Sequence, residues 1–236
     1  MNSDFVQDDF KFRGFYRGLV LDNVDPSQLG RIKIRVYNVF ASSIPTAQLP
    51  WAVPAAGLFT GSGPGYGSFV VPEINSQVFV FFEGMDLYQP VYFAEAPSAV
   101  NGLPSERTTN YPYRKVWKTK NEVVFYIDDK TDLEEVKLEH PKENPTKTSV
   151  VINKDGELIV TGQKSSTIVI DKDGEIASTG QAGSSIVIDS AGVITATGAG
   201  STIVIDVAGK ITITGGDITV SGDAVVIEGT TVNINP

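Results

Sequence analysis

The residues after about position 149 repeat one short motif four times. Each copy is a run of β-branched residues followed by Asn or Asp, two more residues and a Gly, and the copies lie at 150–156, 168–174, 186–192 and 203–209. The Gly that closes the copy recurs after 18, 18 and 17 residues. Self-similarity at a fixed period indicates a repeat architecture, in which each unit stacks on its neighbours.

Each repeat predicts two short strands and two turns. Val, Ile and Thr are stiff at χ1 and favour extended backbone. Glycine supplies the positive φ angle that a tight turn requires, and we expect turns at four positions, Gly156, Gly174, Gly192 and Gly209. Apolar residues do not recur at helical spacing in this part of the chain. The repeats are therefore predicted to be all-β.

The apolar residues of the repeats need more than one chain to cover them. The chain contains 12 Phe, 8 Tyr and 2 Trp, yet none of these follows Tyr126. A core built only from Ile, Val, Ala and Thr is narrow, and a repeat of this size cannot bury its own apolar face. We predict an intertwined trimeric β-helix, a slim prism to which each of three chains supplies one wall. A single-chain β-helix is the alternative. The predicted trimer core is Ile152, Ile168, Ile170, Ile186, Ile188, Ile203 and Ile205.

The composition limits the possible cofactors and partners. The 236 residues include no Cys and one His, His140, which leaves few ligands for zinc or haem, so we expect no metal site and no cofactor. The net charge of −9 disfavours nucleic acid and anionic membrane surfaces as equilibrium partners. The first nine residues lack the apolar core of a signal peptide, and no apolar run approaches the length of a membrane span.

The N-terminal half predicts a small closed β-barrel. Ile32, Ile34 and Val36 alternate with basic residues, which is typical of a half-buried strand, and about five strands fit between positions 14 and 96. The OB-fold is the commonest barrel of this kind. We expect Trp51, Phe79 and Phe81 in its core. The predicted organisation is an N-terminal arm at 1–13, an OB domain at 14–96, a linker at 97–114, a neck with the first prism strands at 115–148, and the repetitive β-helix at 149–236.

Six phrases of the sequence carry a resemblance to a known protein family. They are LDNVDP at 21–26, LGRIKIRV at 29–36, PWA at 50–52, VFFEG at 80–84, QPV at 89–91 and VWKTKNEVVFYIDD at 116–129. In this order, and followed by Gly-punctuated repeats, they are similar to the central-spike proteins of phage tails, the baseplate assembly protein V, T4 spike and VgrG family. In the last phrase, Asn121-Glu122-Val123 stands where the family usually has Ser-Gly-His.

The resemblance implies a structural role. It implies a homotrimeric spike that pierces the host envelope, seated on a tail hub through its OB domain, at the baseplate tip of a virion or of an extracellular contractile injection particle. It also implies transient contact with the host outer membrane. The lysozyme domain that some members carry has no room in the linker, and the His-x-His motif that holds an iron ion in related short spikes is missing. A separate PAAR-like tip protein is therefore expected at the C-terminal end.

Other functions are weighed against the same residues. Asp171 and Asp173 before Gly174 invite a calcium site, but the second Asp is lost in the two later copies, whereas turn chemistry accounts for all four. Catalysis by a Ser-His-Asp set would have to use His140, which flanks a Pro, so we expect no enzyme.

The basic strand face at Arg31, Lys33 and Arg35 is interpreted as solvated or as touching a neighbouring protein ring. A trimeric tail-fibre-like adhesin that binds a host receptor is the alternative function.

Overall fold

The computed structural model describes residues 12–55, 61, 63–98, 102–222, 226 and 229–232. The chain divides into two compact units, Met1–Leu103 and Pro104–Pro236. This division falls inside the stretch that the sequence predicts as a linker. Residues 1–11 of the predicted arm lie outside the described residues, whereas Phe12 packs edge-on against Phe82, with 6.0 Å between ring centroids.

The first unit is a closed five-stranded barrel, as predicted. Its strands are β1 (Tyr16–Asp22), β2 (Ile32–Val36), β3 (Trp51–Pro54), β4 (Gln77–Phe82) and β5 (Pro90–Glu95). They pair in the order β1-β2-β3-β5-β4, and β4 pairs with β1 to close the barrel. All neighbouring strands are antiparallel except β3 and β5.

The barrel interior is filled mainly by aliphatic side chains that alternate along each strand. The buried cluster consists of Val20, Ile32, Ile34, Val36, Ala52, Val78, Val80, Phe82 and Tyr92. The prediction that Trp51, Phe79 and Phe81 belong to this core is wrong. In β4, Val78, Val80 and Phe82 point inward, so Phe79 and Phe81 lie on the outside. In β3 the buried residue is Ala52, which leaves Trp51 half-buried outside the interior.

The second unit is one long antiparallel sheet of eleven strands. In chain order they are β6 (Arg114–Lys118), β7 (Val124–Asp128), β8 (Glu135–Glu143), β9 (Lys147–Ile152), β10 (Leu158–Thr161), β11 (Thr167–Ile170), β12 (Ile176–Thr179), β13 (Ser185–Ile188), β14 (Ile194–Gly198), β15 (Ser201–Ile205) and β16 (Ile211–Thr214). Each strand pairs with the next one along the chain. The ladders therefore run within one chain.

The change of repeat length from 18 to 17 residues has a local cause. Between β12 and β13 a loop joins Gly180 to Ser184, with the amide of Gly180 donating to the carbonyl of Ser184. Between β14 and β15 the ladder continues to the pair Gly198 and Ser201, so two residues complete the turn. The second of them, Gly200, has φ 80°, a backbone conformation that Gly adopts without steric cost. The shorter turn keeps the strand register unchanged.

The helices of the described residues are short 3₁₀ turns at Thr46–Gln48, Glu83–Met85, Ser105–Thr108 and Gln163–Ser165. Within the part of the chain that the structure describes, no helix has the length and apolar character needed to cross a membrane.

Candidate functional site

One face of the eleven-stranded sheet carries two columns of aliphatic side chains, which we call the aliphatic face. The first column lies beside the Asp-Gly turns and contains Val136, Ile152, Leu158, Ile170, Ile176, Ile188, Ile194, Ile205 and Ile211. The second column lies beside the other turns and contains Leu138, Val150, Val160, Ile168, Ser178, Ile186, Ala196, Ile203 and Ile213. All seven residues predicted as trimer core lie on this face.

The aliphatic face is open in a single chain. Ile168, Ile186 and Ile203 are 47%, 55% and 45% exposed. Large aliphatic side chains placed directly opposite one another on a sheet stabilise it by cross-strand contact. In the single chain, these side chains nevertheless remain accessible to water. Contiguous exposed apolar surfaces of this kind are typical of interaction sites.

The opposite face of the same strands is made of Val, Thr, Ser and Ala. Along β11 to β15 it presents Thr167, Val169, Ala177, Thr179, Ser185, Val187, Thr195, Thr197, Thr202 and Val204. Such small, β-branched and hydroxylated residues tolerate water and favour strands. The larger aliphatic side chains are therefore concentrated on the aliphatic face.

The Asp-Gly turns at the edge of the sheet share one hydrogen-bond pattern. Asp171 Oδ1 accepts from the amides of Asp173 and Glu175 at 2.9 and 2.8 Å. Equivalent pairs of bonds reach Asn153, Asp189 and Asp206 at 2.8 to 3.1 Å. Each turn ends with one of the four predicted turn glycines, and their φ angles lie between 79° and 88°.

This pattern explains why Asn or Asp recurs while the next two residues vary. The side-chain oxygen satisfies two backbone amides that the ladder leaves unpaired, as in an Asx-turn. Lys172 and Asp173 pair with each other at the exposed tip. Among the described residues, no group of three or more His, Cys, Asp or Glu could hold a metal ion.

The start of the sheet contains a buried ionic cluster that sequence reasoning missed. Asp128 Oδ2 accepts hydrogen bonds from Asn110 Nδ2 at 2.6 Å and from Arg114 Nε and Nη2 at 3.0 and 2.8 Å. Burial works to raise the pKa of Asp128, but Asn110 and Arg114 outweigh it and hold the pKa below its ordinary value. The guanidinium of Arg114 also lies 4.0 Å from the ring centroid of Tyr126.

Tyr126 extends the cluster to the next strand. Its hydroxyl donates a hydrogen bond to Glu135. Burial, and then this bond to a carboxylate, raises the pKa of Tyr126. These contacts fix β6, β7 and β8 to one another by side chains as well as by the backbone.

The basic side chains of β2 form hydrogen bonds within the barrel unit itself. Lys33 Nζ donates to the carbonyl of Ala47 at 2.6 Å and lies 5.0 Å from the ring centroid of Trp51. Arg35 donates to the carbonyls of Ala41 and Ile44. Lys33 is buried, so the interpretation of this face as solvated is wrong for that residue.

The third basic residue of this strand face, Arg31, anchors the loop before β2. Its Nε and Nη2 donate to the two oxygens of Asp25 at 3.0 and 2.6 Å. Asp25 also accepts from the amides of Ser27 and Leu29. The hydrogen bond from Arg31 in particular holds the pKa of Asp25 far below its ordinary value.

The outside of the barrel carries a cluster of four Phe rings, which we call the outer aromatic patch. Phe93 lies 5.0 Å from Phe15 and 6.0 Å from both Phe79 and Phe81, measured between ring centroids. Phe15 is 73% exposed. Arg17 lies over the ring of Phe79 at 4.9 Å. A patch of this kind, apolar with a basic residue at its border, is typical of a protein interface.

Residues 16–95 match the family model of the type VI secretion system/phage-baseplate injector OB domain. The match begins with β1 and ends with β5, so it covers the whole barrel. It confirms, for this domain, the resemblance inferred from the sequence. A search of curated proteins finds no match to the chain.

Proposed function

We propose that the chain is the membrane-piercing central spike of a contractile phage tail or related injection system, because residues 16–95 match the injector OB domain of type VI secretion systems and phage baseplates. The observation that carries the proposal is the open aliphatic face on the sheet that follows this domain. A spike of this kind acts mechanically, and the proposal assigns it no catalytic step.

The aliphatic face supports a homotrimer. Three walls can turn their aliphatic faces toward a common axis and leave their Thr- and Val-rich faces in water. This arrangement removes the apolar columns from solvent, which is worth roughly 25 cal/mol per Å² of apolar surface buried. It also covers the sheet without adding aromatic bulk, which the residues after Tyr126 lack.

The charge distribution supports passage of the C-terminal end through a membrane. The sequence after Glu175 has six charged residues, Asp189, Asp206, Lys210, Asp217, Asp223 and Glu228. The preceding part of the sheet is much more charged, with ion pairs such as Lys137 with Glu139 and Lys172 with Asp173. A charged side chain at the bilayer centre costs about 2.5–3.5 kcal/mol on insertion scales. A leading end with few charges therefore lowers the work of penetration.

The outer aromatic patch supports the attachment of the barrel to a hub protein. Its rings lie on β4, β5 and the residue before β1, away from the barrel core. A PAAR-like tip protein at the C-terminal end, transient contact with the host outer membrane and a position at the baseplate tip also belong to the proposal, and they rest on the family resemblance. Baseplate localisation itself agrees with the match of the OB domain.

The proposal is tested by the mass and the appearance of the purified chain. Light scattering should give three times the 25.3 kDa of one chain. Negative-stain electron microscopy should show a thin rod joined to a globular head. A monomeric mass at micromolar concentration would falsify the spike assignment, and only the OB domain would remain assigned. Rods that end in an enlarged knob would favour the adhesin instead.

A further inference from the structure

The aliphatic face has a depression in its second column, along β12 to β15. The depression has a volume of about 400 Å³. Its base is formed by Ser178 and Ala196, and Ile186 and Ile203 stand beside them in the same column. The two neighbouring turns contribute only small residues, Gly180 and Ser184 from one and Gly198 and Ser201 from the other. It is therefore an apolar hollow inside an otherwise continuous aliphatic surface.

The two columns of the face differ in this respect. The first column has a branched aliphatic residue in every strand from β9 to β16, including Ile176 opposite Ile188 and Ile194 opposite Ile205. The second column alternates large and small residues at Ile168, Ser178, Ile186, Ala196 and Ile203. Positions 160 and 213, which are equivalent to 178 and 196 in the other repeats, hold Val and Ile. The hollow is thus confined to the middle repeats.

We propose that this hollow receives the first-column isoleucines of a second copy of the chain and sets the register of the trimer. This inference rests on the proposed trimer. Around a threefold axis every contact is heterologous, so that one surface of a copy meets a different surface of the next. A first column with a large aliphatic residue in every strand and a second column with gaps are two such surfaces. A wall shifted along the axis by one strand would place Ile186 or Ile203 against the neighbour's isoleucines instead.

The reason for the alternation is the width of the axis. Closed β structures with a narrow interior often place small side chains beside large ones, so that the interior is filled without clashes. Filling the hollow from within the same chain should therefore block association, although Ile favours a strand more than Ser or Ala does. The sheet of the single chain should tolerate such a change and the trimer should not.

The test compares full-length chains with Ser178→Ile, Ala196→Ile and Ala177→Ile. Ala177 follows Ile176 in the same strand as Ser178 but belongs to the opposite face. We expect both hollow-filling variants to raise the concentration at which half of the trimer dissociates by at least about tenfold, which is the lower end of overpacking effects. Analytical ultracentrifugation measures this concentration. Ala177→Ile should match the wild type.

A rescue variant keeps the test decisive if Ala196→Ile also loses strand signal in circular dichroism. Ile194→Ala in the Ala196→Ile background removes bulk from the first column, so it should restore a trimer. Hollow-filling variants that assemble like the wild type, or a double variant that stays dissociated, overturn the inference while the trimer itself stands. A wild-type chain that is monomeric overturns the proposed function and this inference together.

Discussion

Arg31 forms a two-point ion pair with Asp25, with Nη2 2.6 Å from Oδ1 and Nε 3.0 Å from Oδ2. Three backbone amides of the loop, those of Ser27, Leu29 and Arg31, also donate to this carboxylate. The pair therefore holds the loop between β1 and β2 in one conformation. Asp25 belongs to the phrase LDNVDP and Arg31 to the phrase LGRIKIRV, so the ion pair links the two phrases.

The lowered pKa of Asp25 predicts acid sensitivity of the barrel. A carboxylate whose pKa is lower in the folded state stabilises the fold above its unfolded pKa of about 3.9, and this contribution is lost as the pH falls through the folded value. Asp25→Asn should lower the thermal unfolding midpoint at pH 7 by at least about 5 °C. Its midpoint should also fall less than that of the wild type between pH 5 and pH 2.

Fluorescence of Trp51 can follow this unfolding, because its ring lies under Arg31 and Lys33 at 5.7 and 5.0 Å. A Trp117→Phe background removes the other Trp of the chain. Asp22→Asn is a suitable control, since Asp22 accepts from the amide of Val24 and makes no ion pair with Arg31. Equal pH profiles for the wild type and Asp25→Asn would contradict the role given to this pair.

The Asp-Gly turns predict a graded effect of side-chain chemistry. Asp171→Ala leaves the amides of Asp173 and Glu175 without their acceptor and should cost about 1 kcal/mol per chain. Asp171→Asn should cost much less, because Asn153 already fills the equivalent position with the same two bonds. Thermal melting of the assembled protein measures both. Asp173→Ala, which removes only an exposed tip carboxylate, is the matched control, and a loss as large as that of Asp171→Ala would argue against the turn mechanism.

The aliphatic face predicts a sharp difference between the two faces of one strand. Ile188→Asp or Ile170→Asp places three like charges near the proposed axis, and the cost of burying unpaired charges should abolish assembly. Val187→Asp adds the same charge to β13 on the opposite face, outside the lining of the hollow, and should leave the trimer intact. Size-exclusion chromatography with light scattering separates these outcomes. Wild-type assembly of Ile188→Asp would mean that the aliphatic face lies outside the contact.

The strands and faces of the repeats could be predicted because each turn carries its own signal. Asn or Asp with Gly fixes where a strand ends, and alternation then assigns Ile152, Ile170 and Ile188 to one side. The barrel strand β4 offers no such signal. Its sequence QVFVFF is apolar at both even and odd positions, so the pattern predicts a strand without telling which of Phe79 and Val80 is buried.

Contacts between distant residues were also beyond sequence reasoning. Lys33 is buried because the carbonyl of Ala47, which lies 14 residues away in a Pro-containing loop, accepts from its ammonium group. Asp128 is buried because Asn110 and Arg114 reach it from 18 and 14 residues away. Local periodicity describes which side of a strand faces water only when no other segment covers that side.

Substitutions in the outer aromatic patch should weaken attachment of the barrel to the hub protein without lowering the stability of the barrel. Phe15→Ser and Phe93→Ser remove exposed rings that do not belong to the barrel core, so the thermal midpoint of the barrel should change by less than about 3 °C. Phe82→Ala, which empties a buried position, should destabilise the fold by about 3–5 kcal/mol. The surface variants should nevertheless fail to attach to the hub, because a few buried aromatic anchors carry most of the binding energy of an interface.

The measurement is the amount of spike retained on purified tail or injection particles when each variant replaces the wild type, detected by immunoblot. Phe15→Ser and Phe93→Ser should leave particles without spike although the free protein folds and forms trimers. Tyr88→Ser is the control, because Tyr88 is 80% exposed and lies outside the patch of stacked rings. Particles that retain the Phe93→Ser spike as well as the wild type would show that the hub binds another surface of the barrel.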